Sequence, residues 1–167
     1  MDFKQRLEKA TERGQRARTA NAREQAARAL SAAEFDRLHA NYRIALCEQI
    51  ENRLRQLADH FPGFQFDLIV SDRGWGASVH RDDVGRGPRG QRDNFFSHLE
   101  MVVSPHGQYH ILELRAKGTI RNKEIFNRCE YQLLNEVDID RLVDLVELWA
   151  LQYVEQFAAQ DGTASNP

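Results

Sequence analysis

The sequence predicts a two-layer α+β domain: an antiparallel meander sheet of four to five strands, with long N-terminal helices and one C-terminal helix packed on one face. Three observations predict it. Helical periodicity fills residues 2–60, short alternating segments joined by turn residues run from Phe64 to about Phe126, and an apolar helical pattern runs from Ile139 to Ala158. The connections between successive strands are short, which implies antiparallel pairing, because a parallel crossover needs a dozen residues or more.

The front of the chain reads as two helices. Phe3, Leu7, Ala10, Gly14 and Ala17 form a heptad-like stripe whose bulky members stop at Leu7. Gly14 costs about 1 kcal/mol relative to Ala in a helix interior. A stripe this thin does not make a coiled coil, so residues 1–30 are expected to be a helical arm that is mobile or ordered against a partner. Ser31-Ala32-Ala33-Glu34 fits a capping box and predicts that a second helix starts at Ala32. Phe35, Leu38, Tyr42, Leu46, Ile50, Leu54 and Leu57 then hold one face, and Pro62-Gly63 stops the helix near His60.

The sheet follows from alternation. Phe64, Phe66, Leu68 and Val70 share one face of a first strand, and Trp75, Ala77 and Val79 share one face of a second. A third strand spans Phe95–Val103, and a fourth spans Gln108–Lys117, with Leu112, Leu114 and Ala116 inward. A turn at Gly118 leads to a fifth strand ending about Phe126, followed by an irregular link. The stretch between the second and third strands, residues 80–94, has three Gly, one Pro and little to bury, so a mobile loop is expected there. Asp138 is the expected N-cap of the last helix, whose inner face is Leu142, Val146, Trp149, Tyr153 and Phe157.

These elements make residues 31–160 a single domain, with residues 161–167 a disordered tail. A hydrophobic content of 41% with 29% charged residues fits a soluble globular chain. No apolar run approaches the roughly 20 residues that span a bilayer, and the N-terminus lacks the apolar core of a secretory signal. A cytoplasmic protein that does not engage membranes is therefore expected, with Cys47 and Cys129 as buried free thiols.

Charge is uneven. Residues 1–30 hold eight basic and four acidic side chains, a net +4, whereas residues 130–167 hold one basic and eight acidic, a net −7. The basic arm and the arginines of residues 80–94 (Arg81, Arg86, Arg89 and Arg92) are the candidates for an anionic partner. The outward sheet face offers a second candidate surface: His80, His98, Glu100, Tyr109, Glu113, Arg115 and Lys117. A third lies on the last helix, where Leu145, Leu148, Leu151 and Val154 widen the apolar face beyond what one sheet contact requires.

Catalytic signatures are weak. No compact metal motif such as H-E-x-x-H is present, and none of the serines has a Gly-x-Ser-x-Gly setting. Neither a metal nor a cofactor is expected. The leading expectation is a non-catalytic protein-binding module, adaptor or chaperone-like, that pairs with itself as a homodimer. A metal-dependent hydrolase or nuclease using Asp67, Glu100 and Glu113 is one alternative, although Arg115 stands where a deprotonatable lysine would serve. A nucleic-acid-binding protein using the basic arm and the Arg81–Arg92 stretch is the other.

Overall fold

The computed structural model describes residues 2–161, apart from the side chains of residues 27–30 and 161. The order is α1 (Phe3–His60), β1 (Gln65–Ser71), β2 (Gly74–Arg86), β3 (Arg92–Val103), β4 (Ile111–Ile120), β5 (Lys123–Leu133) and α2 (Ile139–Asp161), with a 3-10 turn at Leu134–Glu136. The five strands form one sheet in chain order, and every neighbouring pair is antiparallel. The predicted α+β class and its meander are therefore present. The expected tail, residues 161–167, lies outside the described residues except for the backbone of Asp161.

The chain divides into two compact units, residues 1–38 and 39–167. In the first, Asp2 caps the helix, its Oδ1 accepting from the Gln5 amide at 2.9 Å. Every side chain of residues 2–26 is exposed. The predicted helix start at Ser31 does not occur: α1 passes through Ser31 unbroken. A capping residue acts only where a helix ends, and the alanines around it (Ala26, Ala32, Ala33) favour continuation over the small penalty of one serine.

The second unit holds the core. Leu46, Ile50, Leu54 and Leu57 of α1 and Leu142, Val146, Trp149, Tyr153 and Phe157 of α2 are buried on one face of the sheet, against Ala77, Val79, Leu99, Met101, Val103, Leu112, Leu114 and Ala116. Phe157 gathers Phe61, Phe64 and Tyr153 around it, at ring-centroid distances of 5.2, 5.0 and 6.3 Å. Burial raises the Tyr153 phenol well above its ordinary pKa, and its hydroxyl donates to the Thr119 carbonyl at 2.8 Å. The Asp138 cap is as predicted, its Oδ1 accepting from the Arg141 amide at 3.3 Å.

Three strand expectations change. First, residues 80–94 are not a long loop: β2 and β3 continue as a paired hairpin to Arg86 opposite Arg92, leaving only Gly87–Gln91 between them. Second, Gly118 lies inside β4, and the turn is Arg121-Asn122, with φ of 49° and 71°. Two consecutive left-handed residues are the signature of a type I′ turn, and asparagine accepts that conformation readily. β5 then runs to Leu133 rather than ending at Phe126. Third, β4 begins at Ile111, because His110 adopts φ 51° and breaks the extended run.

Candidate functional site

The sheet face opposite the helices brings the predicted residues together in rows, not in one cluster. His80 and His98 lie directly opposite each other across β2 and β3. The carboxylate of Asp67 reaches His80 at 3.3 Å, and Phe96 stacks on His98 with ring centroids 5.6 Å apart. Burial lowers the His98 pKa; Glu100 opposes that shift, while His80, Lys117 and Arg73 reinforce it.

One row over, Glu100 faces Lys117 across β3 and β4 and pairs with Arg73 of the β1–β2 turn at 3.4 Å. Arg73, Glu100, Arg115, Lys117 and Asn127 line a shallow depression of about 190 Å³. Glu113 lies further along β4, where its Oε1 accepts from the Ser104 hydroxyl and from Arg115 Nε, both at 2.7 Å. Burial pushes the Glu113 carboxyl up, but Ser104, Arg115 and the Cys129 thiol outweigh it and the net shift is downward. Tyr109 does not belong to this face. It sits in the connection between β3 and β4 and is 75% exposed.

The three carboxylates of the hydrolase alternative each have a different partner. Asp67, Glu100 and Glu113 are committed to His80, Arg73 and Ser104–Arg115 respectively. Among the described residues, no group of three His, Cys, Asp or Glu side chains is arranged to hold a metal ion. Both cysteines are free thiols, but neither is buried as expected: Cys47 is half-buried and Cys129 exposed. Cys47 donates to the Trp75 carbonyl at 3.3 Å, and burial, which Arg43 opposes and Glu51 reinforces, pushes its thiol up to about 11. At neutral pH it is a thiol, not a nucleophilic thiolate.

The predicted arginines separate. Arg81 pairs with Asp83 at 2.9 Å, whereas Arg86 and Arg92 face each other on exposed strand ends with Arg89 in the turn between them. Sequence reasoning missed a histidine group. His39 of α1 stacks on His106 at 5.3 Å between centroids, and His106 Nε2 lies 3.0 Å from His110 Nδ1. The His106-x3-His110 spacing was visible, but nothing in the sequence tied it to His39.

Among the described residues, two apolar surfaces are left uncovered beside the helices. On α2, Leu145 and Val154 are half-buried, while Leu148 and Leu151 are 47% and 58% exposed. Beside them is a groove of about 390 Å³ between α1 and α2, lined by Arg53, Leu57, His60, Glu147, Leu151 and Val154. Arg53 binds Glu147 at 3.2 Å, but its buried Nε has no acceptor. The second surface is on the opposite flank. Leu68 and Val70 of edge strand β1 share the helix-side face with buried Ala77, yet they are 58% and 77% exposed, next to Ile44 of α1 at 59%. A groove of about 330 Å³ runs between that strand and α1.

No helix among the described residues is long and apolar enough to cross a membrane. Comparison with protein-family models, with curated proteins and with solved structures found no match.

Proposed function

We propose that this protein is a non-catalytic protein-binding module, of adaptor or chaperone-like type, that associates with itself. The observation that carries this reading is the pair of uncovered apolar surfaces, Leu148–Leu151 on α2 and Ile44–Leu68–Val70 beside β1, flanking a core that is already filled. Burying a leucine or valine is worth about 1.5–3 kcal/mol relative to exposing it, so each surface holds free energy that a protein contact would recover. The scattered pairing of the sheet-face carboxylates supports the same reading over hydrolysis.

The test is the molar mass in solution. Light scattering from 1 chain equivalent of 19.3 kDa upward should give twice that mass at micromolar concentration. A single-chain mass that persists at high micromolar concentration would sink the self-association.

A second reading, nucleic-acid binding, draws support from one specific contact. Arg86 and Arg92 are paired across the hairpin, and like charges directly opposite repel unless an anion lies between them. Titration of labelled RNA and DNA at low salt checks it: affinity should fall steeply as salt rises, and an absence of any shift rules it out.

A further inference from the structure

We infer that the chain pairs with a second copy of itself through strand β1, edge to edge and antiparallel, joining two five-stranded sheets into one continuous sheet. This rests on the self-association proposed above and specifies the surface and register that produce it.

The two edges of the sheet differ in kind. Edge strand β5 carries Lys123, Glu124, Arg128 and Glu130, and its residues are tied back to α2 through Glu130–Arg141 and Arg128–Gln152. Charges of this kind discourage pairing with another chain. Edge strand β1 reads QFDLIVS, with one charge, no proline and no lysine. Among the described residues no strand lies beside its outer backbone groups, since β1 is at the end of the sheet order and pairs with β2.

The side chains point to what covers it. Opposite residues in an antiparallel pair lie on the same face, so Phe66, Leu68 and Val70 share the core face of the sheet with Val79, Ala77 and Trp75. The partners on β2 that contribute to the core, Val79 and Ala77, are fully buried, but Leu68 and Val70 are left open where α1 stops covering the sheet. Another copy turned about a two-fold axis would extend both layers at once, strand beside strand and apolar side chains beside apolar side chains.

The sequence of β1 selects one register. With the axis at Leu68, all seven residues of the strand overlap. Leu68 then meets its own copy, Phe66 meets Val70, Asp67 meets Ile69 and Gln65 meets Ser71. A shift that centres the axis on Asp67 sets two carboxylates directly opposite each other, which is unfavourable. The α1 rim of the groove is charge-balanced, with Arg43 lying over Trp75 and Arg55 over Phe66, and Glu48 and Glu51 between them. A second copy therefore meets no excess of either sign along that rim.

Light scattering on three full-length proteins separates the outcomes. The native chain should show twice 19.3 kDa, Leu68→Glu a single mass with an unchanged circular-dichroism spectrum, and Leu151→Glu twice the mass still. Disulfide trapping in a Cys47→Ala, Cys129→Ser background, which removes both native thiols, reads the register. Leu68→Cys should cross-link on mild oxidation, because residues facing each other across the axis have Cα atoms about 4.5–5.5 Å apart, within disulfide range. Asp67→Cys should not, since its copies are displaced along the strand. Cross-linking at 67 in place of 68 overturns the register. A dimer that survives Leu68→Glu and dissociates in Leu151→Glu overturns strand pairing while leaving self-association intact. A native chain of single mass overturns both.

Discussion

Asn122 holds the far end of the sheet together with three hydrogen bonds. Its amide donates to the Phe96 carbonyl, its Oδ1 accepts from the Phe96 amide, and its Nδ2 donates to the Asn94 carbonyl, each at 2.8 Å. A single residue thus pairs with β3 beyond the point where β4 ends, and it does so from a left-handed backbone conformation. Asn122→Ala removes two side-chain bonds and adds the steric cost of that conformation, so a loss of about 2 kcal/mol in urea unfolding is expected. Asn122→Gly keeps the conformation and should lose only about 1 kcal/mol. Equal losses would show that the side-chain amide alone, not the left-handed backbone, sets the cost. Arg121, the other turn residue, lies over the Phe95 ring at 4.3 Å and fastens the same strand.

Two titrating residues on the outer face give the stability a predictable pH dependence. His98 is displaced below its ordinary 6.5, chiefly by burial, so its contribution is complete above that pH and is lost as pH falls through the folded value. Glu113 is displaced below its ordinary 4.5: burial pushes it up, but its hydrogen bonds and Arg115 prevail. Its contribution is complete above 4.5 and is lost as pH falls through the lower folded value. Urea midpoints measured against pH should therefore drop in two steps on acidification. His98→Gln should flatten the upper step and Glu113→Gln the lower. A profile unchanged by either substitution contradicts the assignment. Neither shift could be read from the sequence, because both depend on which strands lie side by side.

At the scale of elements, the hairpin of β2 and β3 shows where local sequence stops being informative. His80 to Asn94 contains Gly85, Gly87, Pro88 and Gly90 among ten charged or polar residues that alternate poorly, which is why it reads as a loop. It is instead held extended by its own cross-strand pairing from Arg81–Ser97 to Arg86–Arg92, and by Asn122. Strand formation here is a property of the pair, not of either segment. By contrast α2, the stop of α1 after His60 and the alternation in β1 were legible, because each is driven by burial with a fixed period. The Arg86–Arg92 pair offers a test on the hairpin itself. Arg92→Glu turns a like-charge pair into an opposite-charge pair, so hydrogen exchange of the amides of residues 81–97 should slow by about two- to five-fold, equivalent to roughly 0.5–1 kcal/mol. The same substitution should weaken any nucleic-acid affinity; faster exchange would show that the two arginines are held by something other than their mutual contact.

The candidate surfaces divide along the same line. Leu148 and Leu151 were visible as surplus apolar positions on a helical face. Leu68 and Val70 were not, because alternation assigns them to the core and only the three-dimensional arrangement reveals that α1 leaves them uncovered. Composition told correctly which residues are apolar. It could not tell where the second layer ends.

For the whole molecule, the division into units 1–38 and 39–167 separates charge from core. Among the described residues, every buried hydrophobic residue is Leu46 or later. Residues 1–30 carry a net +4, and removing them takes the chain from −2 to −6. If the core alone sets stability, a chain lacking residues 1–30 should melt within about 3 °C of the full chain, since 1 kcal/mol moves a protein of this size by roughly that much. If β1 makes the self-contact, the shortened chain should also keep twice its single-chain mass in light scattering. Loss of the larger mass with the melting temperature preserved would move the interface to the arm and leave β1 unpartnered. A melting temperature lower by 10 °C or more, on the order of 3 kcal/mol, would show that the first thirty residues belong to the fold. Scanning calorimetry and light scattering on that one variant therefore separate the arm as a partner-seeking extension from the arm as a structural element.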